Sequence, residues 1–199
     1  GAGAWSSEYG WTTVGTPASG GNPNGWLSVT FTNTSTGPDS SWIDILHTPA
    51  SNLYAGTWST NMWLAFDFWA SNVIPNGLQV RWKSTTNSYI WGNVIDPPSD
   101  TNDWQTRRSA SFQNWDDWDI DGFASEEQFL ADLGSVEWIG VYVERNTVVQ
   151  QIYGIDNVML MIPEPCEWAM LLCAGLALWV AQRRRLIPVP VSRGAPTAV

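Results

Sequence analysis

The chain has 199 residues, 44% of them apolar and only 14% charged, with 15 tryptophans and a formal net charge of −10. That length accommodates one domain with an appendage and a sizeable core. So acidic a chain repels phosphate backbones, which argues against nucleic acid as a partner and favours calcium, neutral glycans or basic surfaces.

The charge is unevenly divided. Residues 1–163 hold 17 of the 19 acids and 5 of the 9 bases, a net of −12, whereas residues 164–199 carry a net of +2. Both cysteines, Cys166 and Cys173, fall in the second segment, so the body has no disulfide framework and its redox compartment cannot be read from cysteines. Their spacing of seven puts them on one face of a helix, as two small apolar side chains. The first residues, GAGAWSSEYGW, include neither an initiator Met nor a signal peptide; a processed N-terminus and a trimmed chain would explain this equally well.

In chain order, strands are expected at Trp26–Thr32, Trp42–Leu46 and Trp63–Trp69, the last with Leu64, Phe66 and Phe68 on one face. Leu78–Lys83 follows, with Leu78, Val80 and Trp82 facing one way and Gln79, Arg81 and Lys83 the other. Tyr89–Ile95 and Gln105–Phe112 are the next candidates. A helix over 125–133 then interrupts the pattern. Ser125 is its N-cap, Gln128 closes a capping box, Phe129, Leu130 and Leu133 supply apolar positions, and Gly134 stops it. Trp138–Glu144, with Ile139, Val141 and Val143 on one face, and Ile152–Met161 complete the set. Gly/Pro/Asn/Asp-rich turns at 20–25, 33–41, 74–77 and 96–103 separate these runs. The expected class is all-β: an antiparallel jelly-roll β-sandwich over residues 1–162 with one short helix, followed by a C-terminal hydrophobic helix.

Over roughly residues 10–161, Gly20-Gly21-Asn22-Pro23 leading into Gly25-Trp26-Leu27, and the final Tyr153-Gly154-Ile155-Asp156-Asn157-Val158, resemble a laminin-IV-like jelly roll. That group is similar in shape to galactose-binding-like and carbohydrate-binding modules. The resemblance implies a structural calcium held by an acid in the last strand, here Asp156, and one near the N-terminus, where Glu8 is available.

The tail has a different character. Trp168–Ala181 is an uninterrupted apolar run of 14 residues, about 21 Å long as a helix and short of a bilayer core of about 30 Å, a length that by itself also suits a buried core helix. Pro163 and Pro165 stop the preceding strand, and Arg183, Arg184 and Arg185 stand where a cytoplasmic membrane stop belongs. Pro163-Glu164-Pro165, an apolar helix at about 167–182 and the arginine cluster, in that order, resemble the PEP-CTERM sorting signal over residues 163–185. The resemblance implies a transient inner-membrane anchor, recognition by an exosortase, and secretion to the cell surface or matrix of a Gram-negative-type bacterium. Two features depart from the pattern: Cys166 directly after the motif, and an extra tail at 186–199.

Within the body, Asp117, Asp119 and Asp121 followed by Gly122 suggest a calcium loop, although position 12 of an EF-hand would be the neutral Gln128. A solvated acidic turn before the helix is the alternative. Trp91, Trp104, Trp115 and Trp118 lie near loops rich in Asn, Asp and Ser, where indole faces could stack on sugar rings; capping the open ends of the sandwich is the other use for them. Catalysis has little support. His47 is the lone histidine, and neither Ser41 nor Asp44 near it forms part of a G-x-S-x-G elbow. The expectation is a non-enzymatic surface or matrix protein that binds polysaccharide or matrix proteins. The alternatives are a self-associating structural protein forming a fibre or layer, and then a carbohydrate-active enzyme.

Overall fold

The structure is a computed structural model that describes residues 5–21, 25–31, 43–50, 53–146 and 150–162. The sorting motif Pro163–Pro165, the apolar run, both cysteines and Arg183–Arg185 lie outside the described residues. Among the described residues, no helix is long and apolar enough to cross a membrane.

Among the described residues, ten strands form two antiparallel sheets. They are β1 (Ser6–Ser7), β2 (Thr12–Gly15), β3 (Leu27–Phe31), β4 (Ile43–His47), β5 (Trp63–Ala70), β6 (Gly77–Ser84), β7 (Ile90–Ile95), β8 (Gln105–Arg108), β9 (Val136–Glu144) and β10 (Gln151–Met161). The first sheet runs β1-β4-β9-β6-β7 and the second β2-β3-β10-β5-β8. One helix, α1 (Glu126–Leu133), and a single 3-10 turn at Trp115–Asp117 lie between β8 and β9. The expected β-sandwich with one short helix is therefore the observed body.

Period-two alternation drives the layering. Leu64, Phe66 and Phe68 of β5 pack inward from the second sheet, and Leu78, Val80 and Trp82 of β6 with Ile139, Val141 and Val143 of β9 pack inward from the first. Trp82 is central to the core. Its ring lies 5.8 Å from those of Trp58 and Trp91, and 5.6 Å from that of Phe129 on α1. Ser125 caps α1 as expected, its side chain accepting from the Gln128 amide at 3.3 Å. Phe129 and Leu133 are buried, while Leu130 faces outward.

Two departures from the expected strands have clear causes. The run expected over Gln105–Phe112 pairs only as far as Arg108. Beyond it Ser109 reaches back to β5, its Oγ accepting from the Leu64 amide at 2.9 Å, and Phe112 turns into the core to stack on Trp118 with centroids 4.6 Å apart. The backbone still donates from Ser109 to the Leu64 carbonyl at 2.8 Å and from Phe112 to the Met62 carbonyl at 3.0 Å, so the ring is buried without leaving those amides unpaired. Strands β1 and β2 carry too little alternation to be seen in the sequence; a buried carboxylate on β4 organises them.

Candidate functional site: a cleft on the outer face of the first sheet

Strand β6 turns Gln79, Arg81 and Lys83 away from the core, as its alternation predicts. Around Arg81 lies an open cleft of about 610 Å³ lined by Tyr9, Ile45, Arg81, Asn87, Ser88, Tyr89, Ile90, Asp121 and Gln128. Four separate parts of the chain build its walls.

The first wall is the N-terminal segment, held by Asp44. This carboxylate is fully buried and accepts hydrogen bonds from Ser7 Oγ (2.6 Å), Thr12 Oγ1 (2.8 Å) and the amides of Tyr9 (3.1 Å), Trp11 (3.2 Å) and Thr12 (3.0 Å). Gly10, at φ +73°, lets the backbone curl tightly enough for its amide to reach Ser7 Oγ. The outcome is a phenol ring, Tyr9, left 47% exposed at the cleft.

The second wall is the acidic loop. Asp119 accepts from the Tyr89 hydroxyl in a short hydrogen bond and from the amides of Gly122 and Ala124, each at 3.0 Å. Burial pushes this carboxyl up, but the Tyr89 hydroxyl and the amides of Ala124, Gly122 and Phe123 outweigh it and hold its pKa below the ordinary carboxylate value. Burial, and then the bond to Asp119, raise the Tyr89 phenol above its usual range. Asp119 thus fastens a turn that fixes Tyr89 and carries Asp121 into the cleft.

The floor is Arg81. Its guanidinium stands over the Tyr142 ring at 5.1 Å, and it fits only because its cross-strand partner is Gly92. A Cβ on Gly92 would lie 2.7 Å from Arg81 Cδ and 2.9 Å from Ile120 Cδ1. The remaining wall follows β6: Asn87 is spent on structure, bridging both oxygens of Asp132 at 2.7 Å, while Gln128 of α1 lines the far side.

The residues singled out from the sequence are scattered over the body. Trp91 and Trp118 are fully buried, so the expected exposed platforms are core side chains: Trp91 donates to Asp132 at 2.8 Å and Trp118 to the Ser111 carbonyl at 3.3 Å. Trp115 is half-buried against the core at the 3-10 turn. Trp104 belongs to a different cluster, on the outer face of the second sheet. There it packs with Trp26 (5.8 Å) and Trp69 (6.3 Å) above Gly154, where a Cβ would stand 2.7 Å from the Trp104 ring.

The expected calcium ligands are likewise not assembled. Asp119 is committed to its turn, Asp117 contacts Asn114 at 3.3 Å, and Asp121 projects into the cleft. Glu8 pairs with His47 Nε2 at 3.1 Å beside the first sheet, whereas Asp156 sits on β10 of the second and accepts from the Asn157 amide at 2.8 Å. Among the described residues, no three His, Cys, Asp or Glu side chains form a metal-binding group. His47 and Asp44 are not partners either; Ser41 lies outside the described residues. Two sequence signals touch the cleft: the outward parity of Arg81, and the acidic run that includes Asp121, whose spacing suggests a calcium loop. Tyr9, Asp121 and Gln128 are far from Arg81 in the chain, and only folding joins them.

No family model matches this chain, and no curated protein matches it. In three dimensions the body shares the β-sandwich fold of carbohydrate-binding modules. It is similar to a family 30 carbohydrate-binding module of a cellulosomal cellulase of Clostridium thermocellum, at 11% identity and a TM-score of 0.54 over 81% of this chain and 91% of that one. A carbohydrate-binding module of the β-sandwich superfamily aligns at 13% identity and a TM-score of 0.53 over 79% of this chain, which spans 56% of that chain. An exo-β-agarase aligns at 14% identity and a TM-score of 0.52, with 78% of this chain spanning 22% of the agarase.

Proposed function

We propose that this is a glycan-binding protein without catalytic activity, and that the cleft over β6 is its binding site. The observation that carries the reading is the composition of that cleft. An exposed ring, Tyr9, stands beside Arg81, Asp121 and Gln128, whose side chains make no hydrogen bond or ion pair within the described residues. A sugar needs both elements, a flat apolar surface for its CH face and unspent donors and acceptors for its hydroxyls. The similarity in fold to carbohydrate-binding modules agrees with this reading. Polysaccharide in an extracellular matrix would be the partner, reached through the PEP-CTERM-like segment at 163–185 and its exosortase.

Affinity electrophoresis through gels containing different polysaccharides tests the proposal. The native protein should be retarded in at least one gel, and Tyr9→Ala should weaken that retardation at least five-fold with an unchanged melting temperature. Equal mobility of Tyr9→Ala and the native protein would place the site elsewhere, with the Trp26–Trp69–Trp104 cluster next in line.

A further inference from the structure

Two cations share the outer face of β6, and the protein treats them differently. Lys83 is neutralised by Glu137 at 3.7 Å. Arg81, two residues earlier, makes no hydrogen bond or ion pair to any described residue, although 17 acids occupy the body. Its Nε is buried without an acceptor. Its aliphatic stem lies over Gly92 and its guanidinium over the Tyr142 ring, in a position where no acceptor reaches it. Asp121 lines the same cleft but stays beyond ion-pair distance.

An arginine cannot shed its charge. Partly desolvated, a guanidinium gains most from an anion, because a charge-assisted hydrogen bond is about twice as strong as a neutral one and a carboxylate can accept two in parallel. The other unspent groups in the cleft, Asp121 and Gln128, suit hydroxyls, with Asp121 able only to accept.

We infer that the cleft takes an acidic glycan, a chain of uronic acid residues, with a sugar carboxylate docked on Arg81 and the ring hydroxyls on Asp121 and Gln128. The inference rests on the glycan-binding reading above and specifies its ligand. A uronate has both features on one ring: an anion for the uncompensated cation, and donors for the carboxylate that Arg81 does not reach. The acidity of the whole body does not prevent it, since at physiological salt charges farther away than about 8 Å are largely screened and Arg81 is the cation at the contact.

The test uses matched polymers at physiological ionic strength: polygalacturonate and alginate, each beside its carboxyl-reduced counterpart, titrated into the native protein by calorimetry. At least one uronate polymer should bind ten-fold or more tightly than its reduced form. Arg81→Gln should abolish that preference, bringing the affinities for the charged and the reduced polymer together; a preference that survives the substitution overturns the docking on Arg81. Asp121→Asn exchanges a charged acceptor for a neutral one, so it should weaken binding of the reduced polymer and leave or widen the preference for uronate; loss of that preference overturns the docking. Equal affinity of the native protein for charged and reduced polymers overturns the acidic preference and leaves glycan binding intact. Failure of every polymer to bind overturns both.

Discussion

Asp132 is a carboxylate almost sealed from solvent at 1% exposure, near the end of α1. It survives there because four side chains supply donors: Ser84 (2.7 Å), Thr86 (2.5 Å), Asn87 (2.7 Å to each oxygen) and Trp91 (2.8 Å). Burial pushes its pKa up, and those hydrogen bonds outweigh burial and bring it below the ordinary carboxylate value. The unfolded chain, with Asp near 3.9, takes up this proton first as pH falls. The stabilisation is therefore complete above about pH 5 and is lost as pH drops through the lower folded pKa. Urea unfolding at pH 7 should show Asp132→Ala losing about 3 kcal/mol, the cost of stranding buried donors. Between pH 6 and pH 3, Asp132→Asn should lose stability less steeply than the native protein.

At the scale of elements, the cleft depends on two placements that no single strand makes alone. The N-terminal segment joins the first sheet at Ser6 with His47 and Ser7 with Leu46, and by a backbone bond from Glu8 to Ile45. Asp44 adds five hydrogen bonds to Ser7, Tyr9, Trp11 and Thr12, so Asp44→Ala should cost about 2–3 kcal/mol. It should also speed amide exchange over residues 7–12 and weaken glycan retardation as Tyr9 loses its position. The second placement is the β6–β7 pairing, where Gly92 makes room for Arg81. Gly92→Ala should displace the guanidinium from Tyr142 and lower glycan affinity, with an overpacking cost of about 1 kcal/mol in thermal unfolding. A binding defect much larger than that stability loss would separate displacement of Arg81 from general loosening.

For the molecule as a whole, both sheets are assembled from distant parts of the chain. Strand β4 pairs with β9 and β3 with β10, so neither sheet can close until β9 and β10 arrive. Each such pairing meets the entropy of closing a long loop before it is rewarded by contact. Refolding followed by tryptophan fluorescence in a stopped-flow instrument should therefore occupy milliseconds to seconds, not microseconds. The fluorescence change should be large, because Trp58, Trp82, Trp91 and Trp118 all enter one core.

Much of the architecture is local in origin and could be read from the residues. Leu64, Phe66 and Phe68, or Leu78, Val80 and Trp82, alternate because a strand presents successive side chains to opposite faces, and Ser125 caps α1 because its hydroxyl is suited to an unpaired helix amide. The same parity marked Arg81 as facing outward. The tryptophans show where local reading stops. Trp91 and Trp118 sit among polar neighbours in the chain, yet both are buried, one against Asp132 and the other under Phe112. Likewise the acids at 117, 119 and 121 share a spacing but not a purpose, since Asp119 meets the hydroxyl of Tyr89 on another segment. By itself the sequence determined which faces are apolar, where strands turn and that the body is a β-sandwich, because those depend on neighbours one to four residues away. Only the tertiary structure decided which aromatic ring meets solvent and which charge lacks a partner, because those depend on strands brought together from opposite ends of the chain.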